Sequence, residues 1–490
     1  MALARPLARV RILLLAAALT FCIWAFSRRS SSSGIAGKPF ATFNGQISLL
    51  DGHIRFWSQL QPVLISSMPK CDPPLRLGNA PSVKVENTNP NNRPEMLDML
   101  PEEVEEMRHA HTKFLDALSI TTARLHYIPN TRGIIATAGG SYLPVLVISL
   151  RMLRRTGSQL PVEVFLANDR EYEAFICDIV LPSLNARCVV LSHILDAIPK
   201  VIDIEKYQFK LFAMLFSSFE EILFLDADAF PLLPPESLFT NEPFKSKKMV
   251  TWPDFWASTV SSYYYEITSQ PLPKPGTRPR RSSESGEILI SKKTHARTLL
   301  LATYYNLWGP NYYYPLLSQG AAGEGDKETF VAAAIAVGEP YYQVTESIVA
   351  MGHRTGKNGL AGSAMVQFDP AEDYAFQTHS TPSQKLKDPT DRPRPFFIHA
   401  NFPKFDPATI FEPHEVNPAF ADDGSYTRAW TMPKSVIEEF GSDVEKNFWR
   451  EILWTGCELE SKFRAWRAKK GTVCKGVRAY WNAVFVDTKG

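Results

Sequence analysis

From Arg132 to Ala229 the chain alternates β-patterned and helix-patterned runs. "RGIIATAGG" reads as a strand ending in a glycine turn, and "YLPVLVISLRMLRRTG" as a helix closed by Gly157. "VEVFLAN" is a second strand, "REYEAFICDIVLPSL" a helix, "CVVLS" a third strand, "IEKYQFKLFAMLFSS" a helix and "EEILFLDADA" a fourth strand. A βαβαβαβ order leaves few topologies open. It predicts an α/β fold: a Rossmann-like, mostly parallel sheet flanked by helices, with right-handed crossovers. "PEEVEEMRHAHTKFLDAL" before it is a further helix, with Pro101 and acidic residues in its first turn.

Ligands of such sheets sit beyond the carboxyl ends of the strands. There the fourth strand carries Asp226 and Asp228, one residue apart. Two carboxylates this close repel each other unless a cation neutralises them. A divalent ion, Mn²⁺ or Mg²⁺, is the expected neutraliser, with phosphate oxygens completing its shell. "FFIHANFPKFD" adds a short apolar strand ending in His399, a candidate third ligand, and Lys404, a candidate counter-charge for phosphate. Lys210, one helix before the acidic pair, is a second candidate for that role. Gly139 and Gly140 open a helix whose amides suit a nucleotide or its phosphate. In "GDKETF", Asp326 reads by itself as a helix N-cap, and Glu328 as the better catalytic carboxylate.

The N-terminus predicts a membrane anchor. "ILLLAAALTFCIWAF" (12–26) is short for a span, lies between Arg5, Arg9, Arg11 and Arg28, Arg29, and is followed by no small-residue cleavage site. The expected organisation is a cytosolic tail (1–11), a signal anchor (12–27), a stem (28–97) rich in Ser, Pro and Asn, a catalytic domain (98–405) and a C-terminal extension packed on it (406–490). In an oxidising lumen, Cys177 with Cys188 and Cys457 with Cys474 are expected local disulfides, leaving Cys71 over. There is no Asn-x-Ser/Thr sequon. A net charge of +2 without a long basic run gives no support to nucleic-acid binding.

Taken together, "GIIATAGGSYLPVLVISLRMLRRTGSQLPVEVFL", "EKYQFKLFAML", "EILFLDADAFPL", "WPDFW", "ESGEILISK", "GDKETF" and "HANFPKF" run collinearly from about residue 130 to 405. In this the chain resembles the fungal Golgi α-mannosyltransferases of the Mnn type, which carry a GT-A glycosyltransferase fold. The resemblance implies a single-pass type II membrane protein of the Golgi apparatus with a luminal catalytic domain. It implies GDP-mannose as donor, Mn²⁺ (or Mg²⁺) as metal, a mannose-containing glycan on a glycoprotein as acceptor, and retention of the α configuration. By position, Asp228 would ligate the metal directly and His399 would complete its protein ligands, while Asp226 would bind the metal through water or approach the donor's ribose. Lys404 would steady the diphosphate, and Ser285 and Gly286 would line the donor-sugar pocket. Asp326, Lys327 and Glu328 would meet donor or acceptor hydroxyls, and Trp252 and Asp254 would lie toward the acceptor. Glu287 departs from the family pattern, which has Gln there. The rival readings are a transferase using a UDP-sugar and a non-catalytic, membrane-anchored glycan-binding protein.

Overall fold

The structure, a computed structural model, describes residues 43–120, 124–200, 202–356, 359–379 and 392–486. Its contacts divide the chain between Gln46 and Ile47. The expected tail and anchor, residues 1–27, lie outside the described residues. Among the described residues no helix is long and apolar enough to cross a membrane.

Helix α1 (Phe43–Ser66) buries Phe56, Trp57, Leu60 and Leu64. Trp57 stands edge-on to Phe212, 5.5 Å between centroids, and its indole N–H donates to Leu195 O at 3.2 Å. Burying each such side chain stabilises the fold by about 1.5–3 kcal/mol. The stretch 47–97, expected as the distal stem, is therefore part of the body. Its polar average conceals an amphipathic helix, and the Pro- and Asn-rich remainder is bound by backbone bonds, Ala257 N–H to Val83 O (2.8 Å) among them. Helix α2 (Pro101–Ile120) follows, burying Val104, Met107 and Phe114 at helical spacing.

The alternating runs then fold in the expected order: β1 (Ile128–Thr137), α3 (Tyr142–Arg155), β2 (Val162–Leu166), β3 (Ala186–Val190), α4 (Gln208–Phe216) and β4 (Phe219–Leu225). Helix α4 begins at Gln208, not at Ile204, because Lys206 takes a left-handed conformation (φ 48°) and the Gln208 side chain accepts from Glu205 N–H. Strands β6 (Met249–Ala257), β7 (Arg281–Ser291) and β8 (Tyr342–Gln343) complete a seven-stranded sheet of order β8-β6-β7-β4-β1-β2-β3. It is mostly parallel, with β7 running antiparallel between β6 and β4.

A second, four-stranded antiparallel sheet was not legible beforehand. Its order is β9 (Val349–Arg354), β10 (Leu360–Phe368), β11 (Pro395–His399) and β5 (Ala229–Pro231). Strand β5 has three residues, too few for any periodicity. Helix α5 (Ala296–Leu307) packs against α4 and against α6 (Thr329–Val337) in the larger core. Helices α7 (Val444–Glu458) and α8 (Val473–Val484) cover the second sheet, with Phe448 stacked on Phe230. Disulfides join Cys177 to Cys188 and Cys457 to Cys474, and Cys71 is free.

Candidate active site

Strand β4 delivers the acidic pair. All seven of its residues are buried, and the chain leaves the sheet at Asp226, whose N–H donates to Gly286 O at 2.8 Å. The Asp226 carbonyl accepts from Ala229 N–H at 3.0 Å, closing a tight turn. Both carboxylates line a cleft of about 730 Å³ at the carboxyl ends of the central strands. Strand β11 brings His399 to the same point, because its pairing with β5 sets His399 opposite Ala229. Ala400 N–H locks this junction with a 2.9 Å bond to Asp228 O.

The negative charges are neutralised pairwise. His399 Nε2 lies 3.1 Å from Asp228 Oδ1, and the Lys404 ammonium donates to Asp228 Oδ2. Burial opposes ionisation of Asp228, but these two cations outweigh it and hold the carboxyl well below the usual carboxylate range. Burial likewise opposes charge on His399, and Asp228 overcomes it, lifting the imidazole to about 10. Lys210 is buried between the other acids. Its ammonium donates to Ser285 O (2.7 Å) and Ser285 Oγ (2.9 Å), and lies 3.1 Å from Asp326 Oδ2 and 3.5 Å from Asp226 Oδ1. Burial alone would strip its proton, and Asp226 and Asp326 keep it charged.

Ligand atoms of Asp226, Asp228 and His399 all come within 4.8 Å of one another. Two carboxylate oxygens and an imidazole nitrogen are a donor set suited to a divalent cation of the Mn²⁺ or Mg²⁺ type.

Of the other expected residues, Gly139, Lys210, Asp254, Ser285, Asp326 and Lys404 line the cleft. Gly140 shapes the preceding turn with φ 53°. Gly286 lies behind the imidazole: a Cβ there would come 2.7 Å from His399 Cε1 and Nδ1. Two expectations are corrected. Trp252 is fully buried, its indole N–H bound to Phe368 O (2.9 Å) and its ring against Phe397, so it faces the core and not an acceptor. Glu328 is also buried off the cleft. It accepts from Ser283 N–H (2.7 Å) and Ser282 Oγ (2.9 Å) and pairs with Arg280, so its oxygens are committed to structure. Gly325 and Lys327 of "GDKETF" line the cleft, and so does Asp326. Its carbonyl, not its side chain, accepts from Thr329 N–H (2.9 Å) at the start of α6, so the N-cap reading fails as well.

The chain matches a family profile described as a mannosyltransferase over residues 131–275 and 273–369. It is 34% identical over 439 residues to the α-1,2-mannosyltransferase MNN21 of Candida albicans, covering 78% of this chain and 66% of that one. It is 31% identical over 434 residues to the α-1,2-mannosyltransferase MNN5 of Saccharomyces cerevisiae, covering 72% of each. This chain belongs to the fungal Mnn-type mannosyltransferase family. It spans less than two thirds of the length of several of these relatives, 56% for MNN2 of Candida albicans. Among solved structures, the galactosyltransferase LgtC with donor and acceptor sugar analogues aligns at a TM-score of 0.33 and 12% identity, over 64% of this chain and 99% of that one. A likeness so slight carries no weight here.

Membership in the family puts the remaining cleft residues in context. Glu284, Tyr142, Tyr207 and Glu171 line the cleft, and the sequence reading named none of them. Glu284 carried a usable signal, since it lies two positions before Gly286 on the same strand, hence on the same face. Its Oε1 accepts from Gly286 N–H (2.9 Å) and lies 3.9 Å from His399 Nδ1. Lys327, the third residue of "GDKETF", donates to Asp254 Oδ2 at 2.6 Å, fixing both on one wall. The close approach at Gly286 yields a direct expectation. Gly286→Ala pushes the imidazole out of place and weakens Mn²⁺ binding about 10–100-fold, the range seen when support of a metal ligand is lost. Titration of the purified protein with Mn²⁺ checks it, and an unchanged affinity would remove His399 from the ligand set.

Proposed function

We propose that this chain is a type II Golgi membrane α-mannosyltransferase of GT-A type. It transfers mannose from GDP-mannose to a mannose-containing glycan on a glycoprotein, with retention and in a metal-dependent way. The observation that carries the reading is Asp226, Asp228 and His399 converging beside Lys404 and Lys210 at the strand ends of a chain from this family. An α-1,2 linkage is the first expectation, since the relatives are α-1,2-mannosyltransferases. The apolar run 12–26 and the two disulfides support an anchored, luminal placement.

Asp226, Asp228 and His399 would hold Mn²⁺ or Mg²⁺, which supplies charge neutralisation to the donor diphosphate. Lys404, 38% exposed, has room to turn from Asp228 to a diphosphate oxygen. Lys210, with its hydrogen bonds to Ser285, holds Asp226 and Asp326 in place as a fixed positive charge. Ser285 and Asp326 face the donor sugar, and Asp254, held by Lys327, faces the acceptor. The bond from the anomeric carbon to the diphosphate breaks as an acceptor hydroxyl oxygen bonds to that carbon on the same face. The hydroxyl proton passes to the departing diphosphate. Preorganised charges of this kind typically contribute about 3–4 kcal/mol each.

The test is incubation of the full chain with GDP-mannose, Mn²⁺ and a set of α-mannosides, followed by linkage analysis of the products. A new α-1,2-linked mannose is the expected result. Transfer only from a UDP-sugar overturns the donor assignment, and no transfer from any donor overturns the catalytic reading.

A further inference from the structure

Residues 81–94, read from sequence as part of a spacer, form one wall of a second groove. They are held to the body at both ends: Ala257 N–H donates to Val83 O (2.8 Å), and the Gln319 amide donates to Pro94 O (3.0 Å). In between, Arg281 pairs with Glu86 at 2.6 Å. A spacer needs none of these bonds. The groove, about 140 Å³, has Asn87, Thr88, Asn92 and Arg93 on this wall and Ser258 and Thr259 on the other. Asn87 and Asn92 are exposed, and among the described residues their amides have no hydrogen-bond partner.

One stretch of chain joins this groove to the catalytic cleft. Asp254 lines the cleft, and Ala257 to Val260 line the groove. Three residues of strand span at most about 10 Å. Asp254 at the cleft and the unpaired amides of Asn87 and Asn92 at the groove place polar groups at both ends of this short run, the chemistry of an oligosaccharide track. Amides both donate to and accept from the hydroxyls of a sugar.

We propose that this groove seats the distal residues of an extended α-linked manno-oligosaccharide acceptor, whose reacting end lies at Asp254. The inference rests on the mannosyltransferase reading for the identity of the sugar. Segment 81–94 is on this account a wall of the acceptor site.

The test is calorimetric titration of the full chain with α-linked mannopentaose and with mannobiose, in the absence of donor, on the unsubstituted protein and on the double variant Asn87→Ala/Asn92→Ala. Mannopentaose should bind at least about 10-fold tighter than mannobiose, and the double variant should lose that advantage, as two hydrogen bonds of ordinary worth would provide. Both side chains are exposed and unpaired, so the variant should keep the parent's thermal midpoint, which is measured alongside. Equal affinity of the two sugars, or pentaose binding unaltered in a folded double variant, overturns the proposal. Pentaose binding lost in the variant, with no transfer from GDP-mannose by the parent, would leave the groove standing and defeat the donor assignment instead.

Discussion

Asp228→Asn should lower mannose transfer by about 10³-fold or more and abolish tight Mn²⁺ binding. Asp228 is the residue on which the site's three arms meet, with His399 on one oxygen, Lys404 on the other, and the backbone of Ala400 on its carbonyl. An amide keeps the shape and removes the charge. That loss is of the size reported when one preorganised electrostatic group is deleted, or larger, because a metal ligand goes with it. Stability moves as well. In chelator, the variant leaves His399 and Lys404 beside a neutral partner, with His399 only 6% exposed. Removing one member of a buried ion pair costs about 3–5 kcal/mol, and the lower figure applies because Lys404 can turn to water. Urea denaturation in chelator and then in Mn²⁺ separates the two effects. The parent gains stability on adding the metal, by its binding to the folded state alone, and the variant does not. Transfer within 10-fold of the parent would show that the acidic pair is not the catalytic centre.

Sequence pattern revealed the part of this site that one continuous stretch encodes. Asp226 and Asp228 follow a strand that three βα units place in the middle of a parallel sheet, and topology alone puts its end at a crevice. His399 and Lys404 were legible by residue type and spacing. What brings them to Asp228, the pairing of a three-residue strand with β11 across 171 positions, has no local signature. The same gap explains both corrected residues. Trp252 and Asp254 are two apart on β6, which regular pleating would put on one face, but the pairing of β6 with β7 is irregular on either side of Trp252 and Pro253, and only Asp254 lines the cleft. Glu328 stands just before α6, one step past Gly325, Asp326 and Lys327 on the cleft wall, and no local pattern marks where the chain turns inward. The stem was misjudged for a different reason. Averaged polarity hides Phe56, Trp57, Leu60 and Leu64, whose helical spacing forms a single apolar stripe.

Glu287→Gln should stabilise the protein at alkaline pH and leave it unchanged in acid. Glu287 is fully buried on β7 opposite Leu225, and among the described residues neither carboxylate oxygen has a hydrogen-bond partner. Burial pushes its pKa up to about 8 from an ordinary 4.5; His399 opposes the shift, and Glu284, Asp226 and Asp228 reinforce it. The folded chain therefore keeps a proton that the unfolded chain has released. Between pH 4.5 and 8 the native state binds more protons than the unfolded one, so stability falls as pH rises. Each unit of such a shift is worth about 1.4 kcal/mol, which puts the whole loss on the order of 5 kcal/mol. Glutamine does not ionise, so the variant escapes that decline: its advantage is absent below pH 4.5, grows through the window and is complete above pH 8. Urea melts at pH 5 and pH 9, both in chelator so that no cation compensates the carboxylate, measure the difference. Parallel curves for parent and variant would mean that Glu287 is ionised throughout. The glutamine that the family resemblance implies at this position becomes intelligible on the same grounds. A protonated carboxyl offers one donor and one carbonyl acceptor, much as a carboxamide does, so below pH 8 this chain presents nearly the same neutral group behind His399.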